Sequence, residues 1–318
     1  MAQQGNKKAQ KRQTRARRRA EEEALQKARE EAAAKERKQQ TIIGAIVVAV
    51  IVALVAVIAI VAVRSIHKKA EADKVTADAS YTALQNVKVK PEFADDKGGI
   101  LISKDGYGKK IAKVPTVEFY MDPLCPGCGS LHRQVDTDLD KLVDSGQINL
   151  VYHFMNFLDP DSTDQYSTRA TGAVLYVSSH DPSTQHLLDF VSNLYKKDFQ
   201  PGEGPDYKPT SNAQIKAQAI AAGVPQDVID KAFGGTYNKW LEATYNYTIK
   251  RKDLQNDSGQ MSTPTVTING KLMNMSEVTQ SGLTQQQAIL KSLGISESQV
   301  GKEGVLPKIG TGAPKPLK

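Results

Sequence analysis

Two stretches decide how this chain folds: FYMDPLCPGCGSLHRQV at residues 119–135 and MSTPTVTINGK at residues 261–271. In the first, an apolar segment leads into Cys125 and Pro126, and apolar residues then recur at helical spacing. This pattern predicts a helix with Cys125 as its N-cap, Pro126 at its first position and Cys128 one turn further on. In the second, a proline opens a short apolar strand that ends in Asn-Gly, a hairpin signal. The two stretches therefore mark two strands of one α/β unit.

The two cysteines, Cys125 and Cys128, are the whole cysteine content of the chain, so no structural disulfide lies elsewhere. A helix N-terminus stabilises a thiolate, which makes Cys125 the predicted nucleophile. Cys128 would then attack the mixed disulfide and release the substrate. A zinc site needs two more ligands in reach, and haem attachment needs CxxCH, whereas Gly129 follows Cys128. We therefore expect neither a metal nor a cofactor.

Strand patterns at residues 117–120 and 148–155 flank the cysteine helix, and another strand follows only at residues 266–268. Residues 159–258 lie between them and carry apolar stripes at helical spacing, which predict an inserted helical subdomain. Trp240 is predicted to lie in the core of this insert rather than on a substrate platform. The predicted fold class is α/β, with the helical insert inside a strand–helix–strand arrangement.

Three shorter patterns complete the unit. ILIS at residues 100–103 and KKIAKV at residues 109–114, around an Asp-Gly turn, predict an opening hairpin. Thr284 with Gln287 predicts a capping box at the start of the last helix. Residues 301–318, rich in Gly, Pro and Lys, are predicted to be a disordered tail.

An uncharged apolar segment, residues 41–63, is long enough to cross a bilayer as a single transmembrane helix. It exceeds the apolar core of a cleaved signal peptide, so it is predicted to be an uncleaved signal anchor. Basic residues are far more frequent before the span than after it, which predicts a cytoplasmic N-terminus. The predicted organisation is therefore a cytoplasmic basic arm at residues 1–40, the anchor, a linker at residues 64–97 and an extracytoplasmic domain at residues 98–300.

The net charge of +7 is concentrated in one place. Residues 1–40 hold 13 Lys/Arg against 6 Asp/Glu, so the remainder of the chain is neutral. Nothing marks the globular part as a nucleic-acid binder, and no nucleic-acid partner is expected. The arm is predicted to lie near anionic membrane lipid.

The CPGC stretch, the MSTPTVTINGK stretch and the helical insert together resemble the DsbA-like branch of the thioredoxin superfamily, over about residues 98–295. The resemblance implies a thioredoxin-like fold and disulfide exchange with exported proteins that carry cysteines. It also implies a cis bond between Thr263 and Pro264, in a loop that lies against the cysteines and binds the substrate chain. A membrane redox partner linked to quinone is expected to regenerate the dithiol.

The sequence departs from the family's pattern at two places. A buried acid often stands six residues before the first cysteine, but Phe119 is there, and Glu118 is predicted to face the other side of the sheet. Asp122 is a second candidate for tuning the thiols, and the alternative role for it is an Asp-Pro turn. The dipeptide Pro126–Gly127 lacks the histidine of strongly oxidising members, which weakens the case for a strong oxidant.

Two other functions fit the same residues. One is a reductase dedicated to a single exported client such as an apocytochrome. Dithiol couples of this kind span about −270 to −120 mV, so the reduction potential separates a reductase from an oxidase. The other is a non-catalytic surface binding or chaperone module in which CPGC is only a staple. A staple that closes so short a loop adds little stability, which argues against the second alternative.

Overall fold

In the computed structural model, the described residues are 76–256 and 258–317, and they belong to one compact unit, Val75–Lys318. The predicted basic arm and membrane span lie wholly outside the described residues, and the predicted linker lies partly outside them. Within the described part of the chain, no helix combines the length and apolarity that a membrane crossing needs.

One mixed sheet forms the centre of the unit. Its strands are β1 Ile100–Ser103, β2 Gly106–Tyr107, β3 Thr116–Met121, β4 Asn149–Phe154, β5 Thr265–Ile268 and β6 Lys271–Leu272. Their order across the sheet is β2-β1-β4-β3-β5-β6. Strand β3 runs parallel to β4 on one side and antiparallel to β5 on the other. The strand that leads to Cys125 is therefore held on both edges.

Helices cover the sheet and fill the insert. They are α1 Ala77–Gln85, α2 Pro126–Asp144, α3 Tyr166–His180, α4 Thr184–Leu194, α5 Asn212–Ala221, α6 Gln226–Ile229, α7 Asn238–Thr248, α8 Met275–Ser281 and α9 Gln285–Leu293. Helices α3 to α7 lie between β4 and β5 in the chain, which confirms the predicted helical insert. Trp240 on α7 is buried in the core, as predicted.

Helix α2 begins as the sequence predicts. Cys125 is its N-cap and Pro126 its first residue. The apolar residues at helical spacing, among them Leu131, Val135 and Leu139, are buried in the same core cluster as the apolar face of β3. Burial of this stripe fixes the helix on the sheet, and the helix N-terminus therefore stays at the end of β3.

Of the two predicted hairpins, the one at Asn269–Gly270 is confirmed and the first one is wrong in its second strand. Asn269 and Gly270 both have left-handed φ values, 51° and 73°, and join β5 to β6 as the sequence indicates. The first hairpin pairs β1 with the two-residue β2, so the predicted second strand at residues 109–114 is wrong. There, the backbone of Ile111 pairs with the side chain of Asn149 instead, donating to its Oδ1 at 2.7 Å and accepting from its Nδ2 at 3.0 Å.

The predicted linker is wrong from residue 76 onward, because α1 packs on the insert. Leu84 is buried, and the ring of Tyr81 lies 5.2 Å from the ring of Tyr247 on α7. Tyr81 also donates a hydrogen bond to Asp96 at 2.9 Å. The few apolar residues of this segment are enough to anchor it because their partners already belong to the core.

The predicted disordered tail is also wrong for residues 301–317. Asn269 donates from its side-chain nitrogen to the carbonyl oxygens of Gly310 and Gly312, at 3.0 and 2.7 Å. Leu317 is buried. Side chains of the folded unit thus satisfy the backbone carbonyls of the tail, which the composition of the tail does not reveal. The predicted capping box of Thr284 with Gln287 is confirmed at the start of α9.

Candidate active site

Cys125 lies where the backbone can stabilise a negative sulfur. The N–H of Cys128 donates to Cys125 Sγ at 3.2 Å, and the Cys125 thiol donates to the carbonyl oxygen of Thr263 at 3.4 Å. Hydrogen bonding to the Cys128 thiol is the largest cause that lowers the pKa of Cys125, to about 7. Burial opposes this, while the N–H groups of Gly127 and Cys128 add to the lowering. A substantial thiolate fraction at neutral pH follows.

Cys128 differs from its neighbour in both exposure and acidity. Its side chain is 0% exposed, and burial raises its pKa well above the usual value, with Cys125 raising it further. Both cysteines are free thiols in this structure. Residues 76–256 and 258–317 contain no group of three or more His, Cys, Asp or Glu residues that could hold a metal ion. Cys125 is the more reactive thiol of the pair, and the order of attack stays a prediction.

The Thr263–Pro264 bond is cis, which confirms the prediction. The loop meets the cysteines through Thr263, whose carbonyl oxygen lies 3.4 Å from Cys125 Sγ. A Cβ added at Gly127 would lie 3.0 Å from Pro264 Cδ, so the glycine of the CPGC stretch lets the loop approach closely. Thr263 Oγ1 is buried and has no hydrogen-bond partner among the described residues. The predicted substrate-binding role of both loop residues remains to be tested.

Asp122 forms the predicted turn before Cys125, and a tuning role for its carboxyl stays a prediction. Its carbonyl oxygen accepts from Cys125 N at 3.0 Å, and its Oδ1 accepts from Leu124 N at 2.9 Å, which builds the turn. The same carboxyl accepts from Ser167 Oγ at 2.5 Å and from Leu158 N at 3.1 Å. Burial raises the pKa of Asp122 to about 7 despite these hydrogen bonds, and the charge of Cys125 adds to the rise. Asp122 is therefore electrostatically coupled to the dithiol.

Glu118 lies on the other face of the sheet, as predicted. Its Oε2 accepts from Tyr120 OH at 2.9 Å and lies 3.5 Å from Nε2 of His153. Phe119 is on the α2 side instead, with its ring 6.0 Å from the ring of His132. Glu118 therefore takes part in a network away from the thiols.

Two contacts of the active-site loop were not foreseen. Gln200 donates from Nε2 to the carbonyl oxygens of Pro123 and Cys125, at 3.1 and 2.9 Å. A Cβ at Gly129 would overlap the side-chain oxygen of Gln200. A second glycine directly after CPGC could have indicated this close approach, whereas nothing in the sequence pointed to Gln200. The insert therefore clamps the loop that carries Cys125.

The residues that build this site lie in a region that matches a known family. The profile of the family described as Thioredoxin matches residues 104–286, more than half of the chain. The chain belongs to the thioredoxin family. The matched region of this thioredoxin-family chain contains the dithiol and the cis-proline loop. With an acidic cysteine at a helix N-cap and a second thiol beneath it, the site has the parts that thiol–disulfide exchange needs.

Individual proteins are similar to parts of this thioredoxin-family chain. Serine/threonine-protein kinase PknE of Mycobacterium tuberculosis is 40% identical over 90 residues, which are 28% of this chain and 16% of the kinase. DsbG of the same organism, in its reduced form, is 30% identical over 60% of this chain and 84% of that one, with a TM-score of 0.44. Oxidised DsbA of M. tuberculosis is 28% identical over 55% and 85%, with a TM-score of 0.44. MdbA, a thiol-disulfide oxidoreductase from Corynebacterium matruchotii, is 23% identical over 62% and 93%, with a TM-score of 0.47.

Proposed function

We propose that this chain is a DsbA-like oxidoreductase, anchored in the membrane, that exchanges disulfides with exported proteins outside the cytoplasm. The observation that carries the proposal is the contact of 3.4 Å between Cys125 Sγ and the Thr263 carbonyl oxygen. Ser262 is exposed, and Thr263 and Pro264 are half-buried, so an extended client chain can reach this loop. Backbone pairing of a client there would bring its sulfur to Cys125 whatever its side chains.

The chemistry follows from the asymmetry of the two thiols. The Cys125 thiolate attacks a client disulfide, forms a mixed disulfide and expels one client sulfur as a thiolate. Cys128 then attacks the Cys125 sulfur, so that the Cys125–Cys128 bond forms and the second client thiolate leaves. The client gains two electrons and the dithiol loses two. Run backwards, the same steps oxidise a client dithiol.

The acidity of Cys125 favours the reductase or exchange candidate over a strong oxidase. A stabilised thiolate stabilises the reduced protein, and strongly oxidising members have attacking cysteines with a pKa of about 3.5, against about 7 in reducing ones. The pKa of Cys125 is lowered to about 7. The reduction potential of the full-length chain is the deciding measurement. A value near about −270 mV supports a reductase, and one near about −120 mV supports an oxidase.

Trapping of mixed disulfides tests the function and the nucleophile together. Cys128→Ser should accumulate mixed disulfides with client proteins through Cys125, because the second attack is blocked, while Cys125→Ser should trap few. The variant without either cysteine is the control for background. Equal trapping by the two single variants would contradict the assignment of Cys125. No trapping by either would support the non-catalytic binding module instead.

The proposed location rests on the sequence of residues 41–63 and on the charges around it. Clients are exported proteins with cysteines, and a membrane redox partner resets the dithiol. Protease added to intact cells should remove the catalytic unit and spare residues 1–40. Protection of the whole chain would overturn this topology.

A further inference from the structure

The backbone just before Cys125 is not held by the helix that follows it. Cys125 is the N-cap of α2, with φ −64° and ψ 116°, so the residues before it lie outside the helical hydrogen-bond pattern. Its sulfur nevertheless meets two fixed partners, Cys128 N at 3.2 Å and the Thr263 carbonyl oxygen at 3.4 Å. A displacement of about 1 Å at a reacting atom can slow a reaction about 100-fold. The groups that fix this backbone therefore control the attack by Cys125.

Gln200 holds the carbonyl oxygens of this segment, whereas the turn at Asp122 holds its N–H groups. The side-chain nitrogen of Gln200 donates one hydrogen to the Pro123 oxygen at 3.1 Å and the other to the Cys125 oxygen at 2.9 Å. Pro123 is buried, and no other donor among the described residues reaches its oxygen. The two donors of one amide thus fix the backbone on both sides of Leu124.

The Gln200 amide is itself held in one orientation. Its oxygen accepts from Arg133 Nη1 at 3.3 Å, and the same nitrogen donates to the Tyr195 carbonyl oxygen at 2.8 Å. If the amide were flipped, its oxygen would face two carbonyl oxygens and its NH2 group would face the guanidinium. A cation at the amide oxygen also polarises the amide and strengthens its two N–H donors. Because Arg133 belongs to α2, the helix that carries the dithiol orients the side chain that holds Cys125.

Gly129 leaves the space in which this side chain lies. A Cβ at Gly129 would overlap the side-chain oxygen of Gln200 and would lie 2.6 Å from Arg133 Nη1. Among the described residues, every side-chain hydrogen bond of Gln200 goes to the active-site segment or to α2, and none goes to the insert that carries it. A side chain that served only to stabilise the insert would bond within it, so these contacts indicate a role at the dithiol.

We propose that Gln200 is a positioning residue for disulfide exchange: it holds the Cys125 sulfur on the line of attack through two backbone carbonyl oxygens, and Arg133 orients it. The inference rests on the proposed exchange function. In the step concerned, the bond from Cys125 to one client sulfur forms, the client S–S bond breaks, and the expelled thiolate takes its proton from solvent. Gln200 transfers no proton and no electron. Its loss should therefore slow the attack on a disulfide and leave the Cys125 thiolate itself available.

Gln200→Met in the full-length chain tests the proposal, because methionine keeps the length of the side chain and removes both donors. The pKa of Cys125 is about 7, so Cys125 is largely thiolate at about pH 9. At that pH, the reaction of the reduced dithiol with oxidised glutathione should slow roughly 10-fold, followed by mass spectrometry after acid quenching. Alkylation of Cys125 by iodoacetamide should change little, because this small reagent needs the thiolate but not its alignment with the cis-proline loop.

Gln200→Glu separates hydrogen bonding from packing. Glutamate keeps the shape of the side chain and the contact with Arg133, but it offers only oxygens to the two carbonyl groups. Exchange should slow at least as much as in Gln200→Met, whereas a side chain that only filled space would tolerate this change. If neither variant folds, Arg133→Met leaves Gln200 in place and removes the group that orients it. Exchange should then slow roughly 3-fold, because the amide is less polarised and less well held.

Gln147→Met is the matched control. The side-chain nitrogen of Gln147 also donates to backbone carbonyl oxygens, among them those of Gln299 and Val305 at 2.9 and 2.7 Å. Gln147 lies just before β4, at the end of the sheet where β3 begins, away from Cys125. Its loss should destabilise the fold, and exchange per folded molecule should not change.

The outcomes separate the alternatives. Wild-type exchange rates in the folded Gln200 variants, or in Arg133→Met where neither of them folds, would overturn the proposal. Equal slowing of exchange and alkylation would also overturn it, because Gln200 would then affect the acidity or exposure of Cys125 rather than its alignment. Slower exchange per folded molecule in Gln147→Met would mean that any loosening of the fold has this effect, and would overturn it too. A wild-type chain that does not react with oxidised glutathione would instead overturn the exchange function on which the proposal rests.

Discussion

Glu118 and Asp122, four residues apart, have opposite acidities. Burial disfavours the charged form of both carboxyls and so raises both pKa values. At Glu118, the hydrogen bond and charge of His153, the Tyr120 hydroxyl and the charge of Arg251 outweigh burial and lower the pKa to about 2. At Asp122, the donors are the uncharged Ser167 hydroxyl and the N–H groups of Leu124 and Leu158, so the effect of burial is larger and the pKa rises to about 7. A cation within reach therefore decides whether a buried carboxyl is a fixed charge or a group that can exchange its proton.

This difference predicts that changes around Glu118 alter stability, whereas changes around the dithiol alter exchange. The largest effect on stability is expected for Arg251→Met. Arg251 is nearly buried and donates from Nη1 to Tyr120 OH at 2.8 Å. Its loss leaves Glu118 without that positive charge and should lower the free energy of unfolding by about 3 kcal/mol, measured by urea denaturation.

Lys252→Met is the matched control for Arg251→Met, because it removes an exposed cation next in the chain. Its effect should be within about 0.5 kcal/mol. The rate of disulfide exchange per folded molecule should not change in either variant. A shift in the pKa of Cys125 in Arg251→Met would show that the two regions are coupled after all.

Glu118→Gln should remove a pH-dependent part of the stability. The folded pKa of Glu118 is lowered from 4.5 to about 2, so its contribution is complete above pH 4.5 and is lost as the pH falls through about 2. The side chain is 22% exposed, so we expect a contribution of about 2 kcal/mol rather than the full value of the shift. Urea denaturation at about pH 6 and about pH 2 measures it.

The exposed Glu242 on α7 offers the control, and Glu242→Gln should follow the wild-type pH dependence. An equally steep loss of stability on acidification in wild type and Glu118→Gln would mean that Glu118 is not the group that titrates.

Ser167→Ala acts on Asp122, and its effect on stability should be smaller than that of Glu118→Gln. Ser167 donates to Asp122 Oδ1 at 2.5 Å, and its loss should lower the free energy of unfolding by about 1 kcal/mol. Because the lost hydrogen bond favours the charged carboxylate, the pKa of Asp122 should rise above about 7. Infrared titration of the labelled carboxyl measures this pKa. Ser178→Ala, which removes a hydroxyl bonded to the carbonyl of Leu175 on the same helix, should leave it unchanged.

The smallest effect on stability is expected for Gly127→Ala. A Cβ there would lie 3.0 Å from Pro264 Cδ and would push the loop away from Cys125. The better helix propensity of alanine, about 1 kcal/mol, should offset the crowding in the free energy of unfolding. Exchange should nevertheless slow roughly 3- to 10-fold, because the geometry of attack is disturbed. Exchange kinetics on the full-length chain provide the measurement.

Gly234→Ala is the control for Gly127→Ala, because an added Cβ there meets only the carbonyl oxygen of Lys231 at 3.8 Å. It should leave exchange unchanged. Unaltered exchange in Gly127→Ala as well would show that the contact between the helix start and the cis-proline loop does not control the reaction.

Local rules in the sequence predicted most of the site. The Cys125 N-cap, the start of α2 at Pro126 and the Asn269–Gly270 turn each depend on a few neighbouring residues, so their patterns can be recognised without partners. The cis bond at Pro264 was predicted from the resemblance, through the position of the proline after the insert and before that turn. Helix α1 and the packed tail were mispredicted, because their burial depends on residues such as Tyr247 and Asn269 far along the chain.

The sequence by itself determined that a dithiol lies at a helix start, and the resemblance added the cis-proline loop that meets it. Only the tertiary structure decided the pKa values of the thiols and of Asp122 beside them. Asp122 receives hydrogen bonds from Ser167 and Leu158, and the loop is clamped by Gln200. Ser167, Leu158 and Gln200 all lie far from the active-site loop in the sequence. A pKa depends on burial and on distances between groups, and the fold of the insert over the active-site loop fixes both.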